Sequence, residues 1–176
     1  MTDPPCSAQP LNETRPQRIL GIDPGLNITG YGVVDISANN VKLVEAGVVR
    51  GTPRGSLESR LLEIHVGVSE VLQTFQPSAM AIEELYSHYE RPRTAILMGH
   101  ARGVICVAAA QHAIPVMHYA ATQVKRILTG NGRAPKSQMQ LAICREFKLL
   151  EPPEPPDVAD ALAIALCHHY LGRKVA

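Results

Sequence analysis

Hydrophobic residues recur along the chain with two periods, which divide it into predicted strands and helices. Apolar and polar side chains largely alternate between Val41 and Val49, and this period of two is typical of a β-strand. Between Ser56 and Phe75, apolar residues return every three or four positions instead. That spacing predicts an amphipathic helix that packs one face against a sheet, with Ser56 as its N-terminal cap.

The remaining segments predict the order β-β-β-α-β-α-β, followed by further helices. Apolar runs at 19–22 and 33–34 flank a glycine-rich turn and predict a hairpin, while 79–85 and 114–118 predict two more strands. Helices are predicted at 94–113, at two places within 120–148, and from about Asp157. This order favours an α/β fold with a mixed five-stranded sheet, antiparallel strands first and parallel strands after, and helices on both faces. Pro115 indicates that the last strand lies at or near an edge of the sheet, or that Pro115 marks the start of the strand.

Length and composition predict one domain. The 176 residues, 45% of them hydrophobic, are enough to fill one α/β core. Residues 1–17 are proline-rich and lack the apolar core of a signal peptide, so we expect a disordered leader before a domain at 18–174. The widely spaced cysteines are typical of a reduced, cytoplasmic protein. No apolar run is judged both long and uncharged enough to span a membrane.

Asp23 is the first candidate for chemistry. It directly follows the apolar run at 19–22, and strand alternation places its side chain on the same face as Ile19 and Gly21. A carboxylate at the end of a buried strand needs compensation, which a metal cation would supply. Asp23 is equally interpreted as the first residue of an Asp-Pro-Gly turn that accepts backbone N–H bonds. The segment alone leaves these two interpretations about even.

Three further carboxylates lie where predicted elements end or begin. Glu83 closes the strand at 79–85 on the face of Ala81, whereas Asp157 and Asp160 lie three residues apart at the start of the last helix. Taken alone, that pair is most simply a helix cap and an N3 residue. Taken with Asp23, the acids predict convergence at strand ends, where α/β sheets gather their active sites. Converging carboxylates favour hard cations, and two Mg²⁺ ions would allow in-line hydrolysis of a phosphodiester.

Several short motifs, spread from residue 18 to about 170, give the chain a resemblance to a known family. They read Gly21-Ile-Asp-Pro-Gly, Thr29-Gly-Tyr-Gly-Val, Ala81-Ile-Glu-Glu, His100-Ala-Arg-Gly, Tyr119-Ala-Ala-Thr-Gln-Val-Lys125, Lys136-Ser-Gln and Asp157-Val-Ala-Asp-Ala-Leu-Ala. Together they resemble the RuvC family of bacterial Holliday-junction resolvases.

The resemblance implies a ribonuclease-H-like fold and a homodimer that nicks two strands of like polarity symmetrically across a four-way DNA junction, in recombination and repair. It implies Mg²⁺ as cofactor, with Mn²⁺ as a possible substitute and two ions in each active site. Matched by motif, the metal-binding catalytic carboxylates would be Asp23, Glu83, Asp157 and Asp160. The same resemblance implies RuvA and RuvB branch-migration proteins as partners.

Any DNA binding must rest on local basic patches, because the formal net charge is only +1. Residues 120–148 form the most basic stretch, although charge runs are usually solvated surface. The resemblance matches Lys125 and Lys136 with residues that contact DNA near the active site, and Tyr86 with an aromatic that stacks on an unpaired base. The expected DNA surface also includes Arg91, Arg93 and Arg126.

The helix at 94–113 carries small residues at Gly99 and Gly103, which allow another helix to approach closely. The residues leave open whether it is a central helix of its own fold or a subunit interface; the resemblance favours the interface. Two other functions are compatible with parts of the sequence. One is a catalytically silent junction-binding module, and the other is a sugar-kinase-like or actin-like ATPase, for which one domain offers no interdomain cleft.

Overall fold

The computed structural model describes residues 16–37, 40–85 and 92–172, and their elements follow the predicted order. Three strands come first, followed by the first helix, a fourth strand, the second helix and a fifth strand, and three helices complete the chain. The strands are β1 (Gln17–Asp23), β2 (Ile28–Ser37), β3 (Asn40–Arg50), β4 (Ala79–Glu83) and β5 (Val116–Tyr119). The helices are α1 (Leu57–Phe75), α2 (Pro92–Gln111), α3 (Ala121–Thr129), α4 (Lys136–Phe147) and α5 (Pro156–Gly172).

The five strands form one mixed sheet in the order β3-β2-β1-β4-β5. The pairs β1–β2 and β2–β3 are antiparallel, whereas β4 runs parallel to both β1 and β5. This confirms the predicted mixed sheet and places β5 at an edge, as Pro115 indicated. Because β1 and β4 are parallel, both end at the same edge of the sheet, where Asp23 and Glu83 lie.

Separate hydrophobic clusters cover the two faces of the sheet. Ile19 and Ala81 pack with α5, α3 and α4 on one face, whereas Leu20 and Ile82 pack with α1 and α2 on the other. The alternation along β1 and β4 is therefore the predicted one. It directs the side chains of Asp23 and Glu83 towards α5.

Glycines in the hairpin allow α5 to lie directly on the sheet. A Cβ atom at Gly21 would lie 2.1 Å from the Ala161 carbonyl oxygen, and one at Gly30 would lie 2.1 Å from the Asp157 carbonyl oxygen. Both contacts are with helix backbone, which cannot turn aside as a flexible side chain can. The first turn of α5 is thus held against β2, directly beside the end of β1.

Element boundaries differ slightly from the sequence expectation. β1 already includes Gln17, which the expected boundary assigned to the leader, and residues 1–15 of that leader lie outside the described residues. α5 begins at Pro156, so Asp157 lies inside the first turn. The simpler interpretation, in which Asp157 is the cap in front of the helix, is therefore wrong. Proline suits this first position because the N–H it lacks would have no partner within the helix.

The second helix corrects one expectation from the sequence. The stretch Arg93–Gln111 of α2 is long and apolar enough to cross a membrane by length and composition, although no such run was expected. Ala101 is fully buried against the sheet, but only 22% of the stretch is buried, with Ile96, Leu97 and Val107 exposed by 60%, 38% and 51%. One side of α2 therefore lies in the core and the other is an open apolar surface, a composition that core and interface helices share with membrane spans.

Candidate active site

Asp23 is the last residue of β1 and is paired with Gly30 of β2. Burial raises the pKa of Asp23 to about 8, and the nearby charges of Glu83, Asp160 and Asp157 raise it in the same direction. A turn aspartate that only accepts backbone N–H bonds would have the opposite shift, because such bonds stabilise the charged form. The surroundings of Asp23 therefore favour the interpretation as one of a group of acids.

Glu83 closes β4 and directly follows Ile82, whose partner in β1 is Ile22, the residue before Asp23. Burial raises the pKa of Glu83, and Asp160 raises it further, whereas Lys125 and Lys136 lower it. The carboxylate is thus half-buried between an acid on α5 and two lysines from α3 and α4. Glu84, the next residue, is exposed and points to the other face of the strand.

Asp157, in the first turn of α5, and Asp160, at the start of its second turn, complete the group. Their position follows from the close seating of the first turn on Gly30. Asp160 Oδ2 accepts a hydrogen bond from Lys136 Nζ at 3.1 Å, and this contact raises the pKa of Lys136. Acids that are separated by more than 130 residues in sequence are therefore electrostatically coupled in the fold.

A small cavity connects the acids with the basic residues. It has a volume of about 180 Å³, and its polar lining consists of Glu83, Asp160, Lys125 and Lys136. Apolar residues of α3, α4 and α5 form the rest of its wall. The cavity thus combines groups that repel an anion with groups that attract one, a combination suited to a phosphate that is held together with cations.

The donor set fits a hard divalent cation. Carboxylate oxygens are the ligands that Mg²⁺ and Mn²⁺ prefer, and a bound cation would offset the burial and the neighbouring acids that raise the pKa of Asp23. Among the described residues, no three Asp, Glu, His or Cys side chains are already grouped around one point as a preformed metal site. Within the part of the chain that the structure describes, the ammonium of Lys136 is the one cationic group in direct contact with these acids, through Asp160.

The other predicted DNA-binding residues are distributed around this region. Arg126 lies on α3 beside Lys125, with its guanidinium next to Gly132 in the turn before α4. Arg93 is exposed in the first turn of α2. Tyr86 and Arg91 lie outside the described residues.

Two supporting residues were not identified from the sequence as having a role at the site. Thr29 is fully buried, and its hydroxyl donates to the Gly25 carbonyl at 2.7 Å, which ties together the loop that follows Asp23. Arg102 on α2 donates from Nε to the carbonyl of Glu83 at 3.1 Å. Both belong to motifs that carry the family resemblance, but only the folded structure shows what they contact.

The chain is similar to known proteins along most of its length. The family model for the crossover junction endodeoxyribonuclease RuvC matches residues 19–168. A crossover junction endodeoxyribonuclease RuvC of Rhodopirellula baltica is 60% identical over 153 residues, covering 87% of this chain and 86% of the relative. Its counterpart in Desulforamulus reducens is 44% identical over 150 residues, covering 85% of this chain and 91% of the relative.

Solved structures give the same result. The structure of Thermus thermophilus RuvC in complex with a Holliday junction substrate superimposes with a TM-score of 0.83 and 38% identity, covering 90% of this chain and 96% of that one. The yeast mitochondrial Holliday junction resolvase Ydc2 matches with a TM-score of 0.64 at 15% identity, which supports the fold alone. On the strength of the family match across its sheet and helices, the chain belongs to the RuvC family of crossover junction endodeoxyribonucleases.

Proposed function

We propose that this RuvC-family protein resolves Holliday junctions by nicking two DNA strands of like polarity with a Mg²⁺-dependent carboxylate site. Asp23, Glu83, Asp157 and Asp160 would hold the ions, two in each site, with Mn²⁺ as a possible substitute. The observation that carries the proposal is the coupling of Asp23 to the other three acids at the end of β1.

Each carboxylate would contribute oxygen ligands from a different part of the fold. When bound, divalent ions supply an activated water and stabilise the leaving oxygen of a phosphodiester. Asp23 and Glu83 are fixed by two parallel strands, whereas Asp157 and Asp160 approach from the helix above them. Strands and a tightly packed helix set such positions more accurately than loops.

Lys125 and Lys136 would position the DNA backbone. Both line the cavity beside Glu83, so a phosphate that enters it meets their ammonium groups. Lys136 contacts Asp160 in the structure, and a bound cation would take over the neutralisation of that acid and free the lysine for the phosphate. Arg91, Arg93 and Arg126, and by resemblance Tyr86, would extend the DNA surface beyond the scissile bond.

A homodimer would place two such sites on one junction. The open face of α2 suits this role, because a Cβ atom at Gly103 would meet nothing within 4 Å and apolar side chains are exposed beside it. Two sites held at a fixed distance by symmetry would explain selectivity for junction geometry. We further expect action in the bacterial cytoplasm together with RuvA and RuvB.

A pair of neighbouring substitutions tests the proposed site. Glu83→Gln removes a proposed ligand, whereas Glu84→Gln removes the adjacent exposed acid on the other face of β4. On a synthetic four-way junction with Mg²⁺, we expect E83Q to nick at least 100-fold more slowly and E84Q to nick at close to the wild-type rate. Equal activity of E83Q and the wild type would exclude the proposed site.

The open face of α2 has its own test. The mass of the protein in solution should correspond to a dimer, and Gly103→Leu should shift it towards the monomer by blocking close approach of a second helix. A monomeric wild-type protein that floats with lipid vesicles would instead assign this face to a membrane.

A further inference from the structure

Arg102 holds the end of β4 from the face opposite to the acids. Its Nε donates to the Glu83 carbonyl at 3.1 Å, and its Nη2 contacts Nδ1 of His118 on β5. The neighbouring Ala101 is buried in the cluster on the α1 and α2 side of the sheet, so Arg102 reaches β4 from that side. The Glu83 side chain points the other way, towards α5.

The sequence of β1 explains why the Glu83 carbonyl takes a side-chain donor. The Met80 N–H donates to the Pro115 carbonyl just before β5, and the Glu84 N–H donates to the Tyr119 carbonyl at the end of β5. Successive residues of a strand direct their backbone groups to alternate edges. The Glu83 carbonyl therefore faces β1. If the parallel register continued by one more residue, the backbone nitrogen opposite this carbonyl would be that of Pro24. Proline has no N–H, so the ladder ends without a donor at this point. Arg102 supplies the missing hydrogen bond.

We propose that Arg102 is a positioning residue of the nuclease site, which fixes the end of β4 so that the Glu83 carboxylate faces Asp23 and Asp160. The inference rests on the proposed function, because the position of Glu83 matters for nicking only if its carboxylate is a ligand. Without the guanidinium, the half-buried carbonyl would lose its charge-assisted bond and the strand end would gain freedom. Arg102 also links the site to α2, whose opposite face is the proposed contact with a second copy.

The test compares how nicking depends on Mg²⁺ with how tightly the junction binds when no metal is present. Arg102→Met keeps the apolar stem and removes the donors. We expect the Mg²⁺ concentration for half-maximal nicking to rise about tenfold or more, the usual effect of losing a partner that orients a metal ligand, while junction affinity stays within about twofold. Arg102→Lys should give a smaller rise of a few-fold, because one ammonium cannot meet both the Glu83 carbonyl and His118.

Lys42→Met is the control, since it removes one positive charge from the exposed surface of β3, at the other edge of the sheet. It should nick as the wild type does. A wild-type Mg²⁺ dependence in R102M would overturn the inference, and so would a loss of junction affinity as large as the loss of nicking, which would make Arg102 a DNA contact. If thermal denaturation shows that R102M does not fold, R102K decides, and an unchanged Mg²⁺ dependence there overturns the inference.

Glu83→Gln separates this inference from the proposed function. An inactive E83Q with a normal R102M would leave the carboxylate site standing and remove only the role of Arg102. A fully active E83Q would remove both.

Discussion

Two carboxylates at opposite ends of the β1–β2 hairpin have opposite surroundings. Asp35 accepts hydrogen bonds from Arg18 at 2.7 and 2.8 Å, and this guanidinium lowers the pKa of Asp35. Asp23 faces other acids, and burial together with Glu83 raises its pKa to about 8. One end of the hairpin is thus compensated by an arginine of the chain, whereas at the other end we propose that a cation from solution compensates the acids. Substituting the two residues should therefore affect stability in opposite directions and activity to very different extents.

The largest effect should separate the two acids by activity. Asp23→Asn should lower Mg²⁺-dependent nicking of a four-way junction by on the order of 10³-fold, about 4 kcal/mol in activation free energy. Junction binding should persist, because one charge that repels phosphate is removed. Asp35→Asn, measured alongside below its melting temperature, should keep most of the activity. Similar losses of activity in D23N and D35N would contradict the proposed difference between the two acids.

A smaller effect should come from the backbone contact that brings α5 to Asp23. Gly30→Ala would place a Cβ atom 2.1 Å from the Asp157 carbonyl oxygen, so the helix must shift. We expect the free energy of unfolding in urea to fall by about 3 kcal/mol and nicking to fall with it. Gly172→Ala is the control, since a Cβ atom there meets nothing within 4 Å, and its stability should change by no more than about 1 kcal/mol. A G30A protein as stable and active as the wild type would show that α5 is not seated by this contact.

In the metal-free protein, the Asp23 carboxylate should lower the free energy of unfolding as the pH rises. The pKa of Asp23 is about 8 in the folded protein, above the ordinary aspartate value of 3.8, so between these two values the folded state keeps a proton that the unfolded chain has lost. Wild-type stability should therefore decrease as pH rises from about 4 to 8. Asp23→Asn does not titrate, and in EDTA its stability advantage over the wild type should grow from almost nothing near pH 4 to several kcal/mol at pH 8.

Adding Mg²⁺ should reduce that difference, because the ion stabilises only the protein that binds it. Thermal melting in EDTA and in Mg²⁺, at several pH values, measures both effects. A D23N protein that gains as much from Mg²⁺ as the wild type would contradict a role of Asp23 in holding the ion.

The smallest effect belongs to the other end of the hairpin. The lowered pKa of Asp35 means that its ion pair stabilises the folded state above the ordinary aspartate range, and that this contribution is lost as pH falls through the folded value. Asp35→Asn should cost about 1 kcal/mol at pH 7 and progressively less in acid. Urea denaturation at pH 7 and pH 3 checks this, and an equal cost at both values would contradict it.

The sequence predicted the elements well where one physical signal dominates. The period of two in residues 41–49 and the apolar stripe after Ser56 correspond to β3 and α1, and the Ser56 hydroxyl accepts from the Ser59 N–H as a cap should. Strand alternation correctly assigned Asp23 and Glu83 to the face that α5 covers. The expectation that no apolar run is long enough to span a membrane was wrong for α2. By length and composition, an apolar helix of small residues fits a core helix as well as a membrane span.

The acids show what the pattern of neighbouring residues cannot predict. Asp23 in its turn and Asp157 at its helix start each had an ordinary local explanation, and nothing within either segment could decide between that and a shared site. The coupling of Asp23 to Glu83, Asp157 and Asp160 depends on parallel strands and on a helix held on glycines. These are contacts between distant segments, which a local reading of residues does not contain.

The sequence by itself determined the order of strands and helices, the faces on which their side chains lie and, through its motifs, the family. Only the tertiary structure decided that Pro24 leaves the Glu83 carbonyl without a ladder donor and that Arg102 supplies one. The physical reason is that periodicity is a property of neighbouring residues, whereas compensation of a charge or a carbonyl depends on whichever distant group the fold brings within about 3 Å.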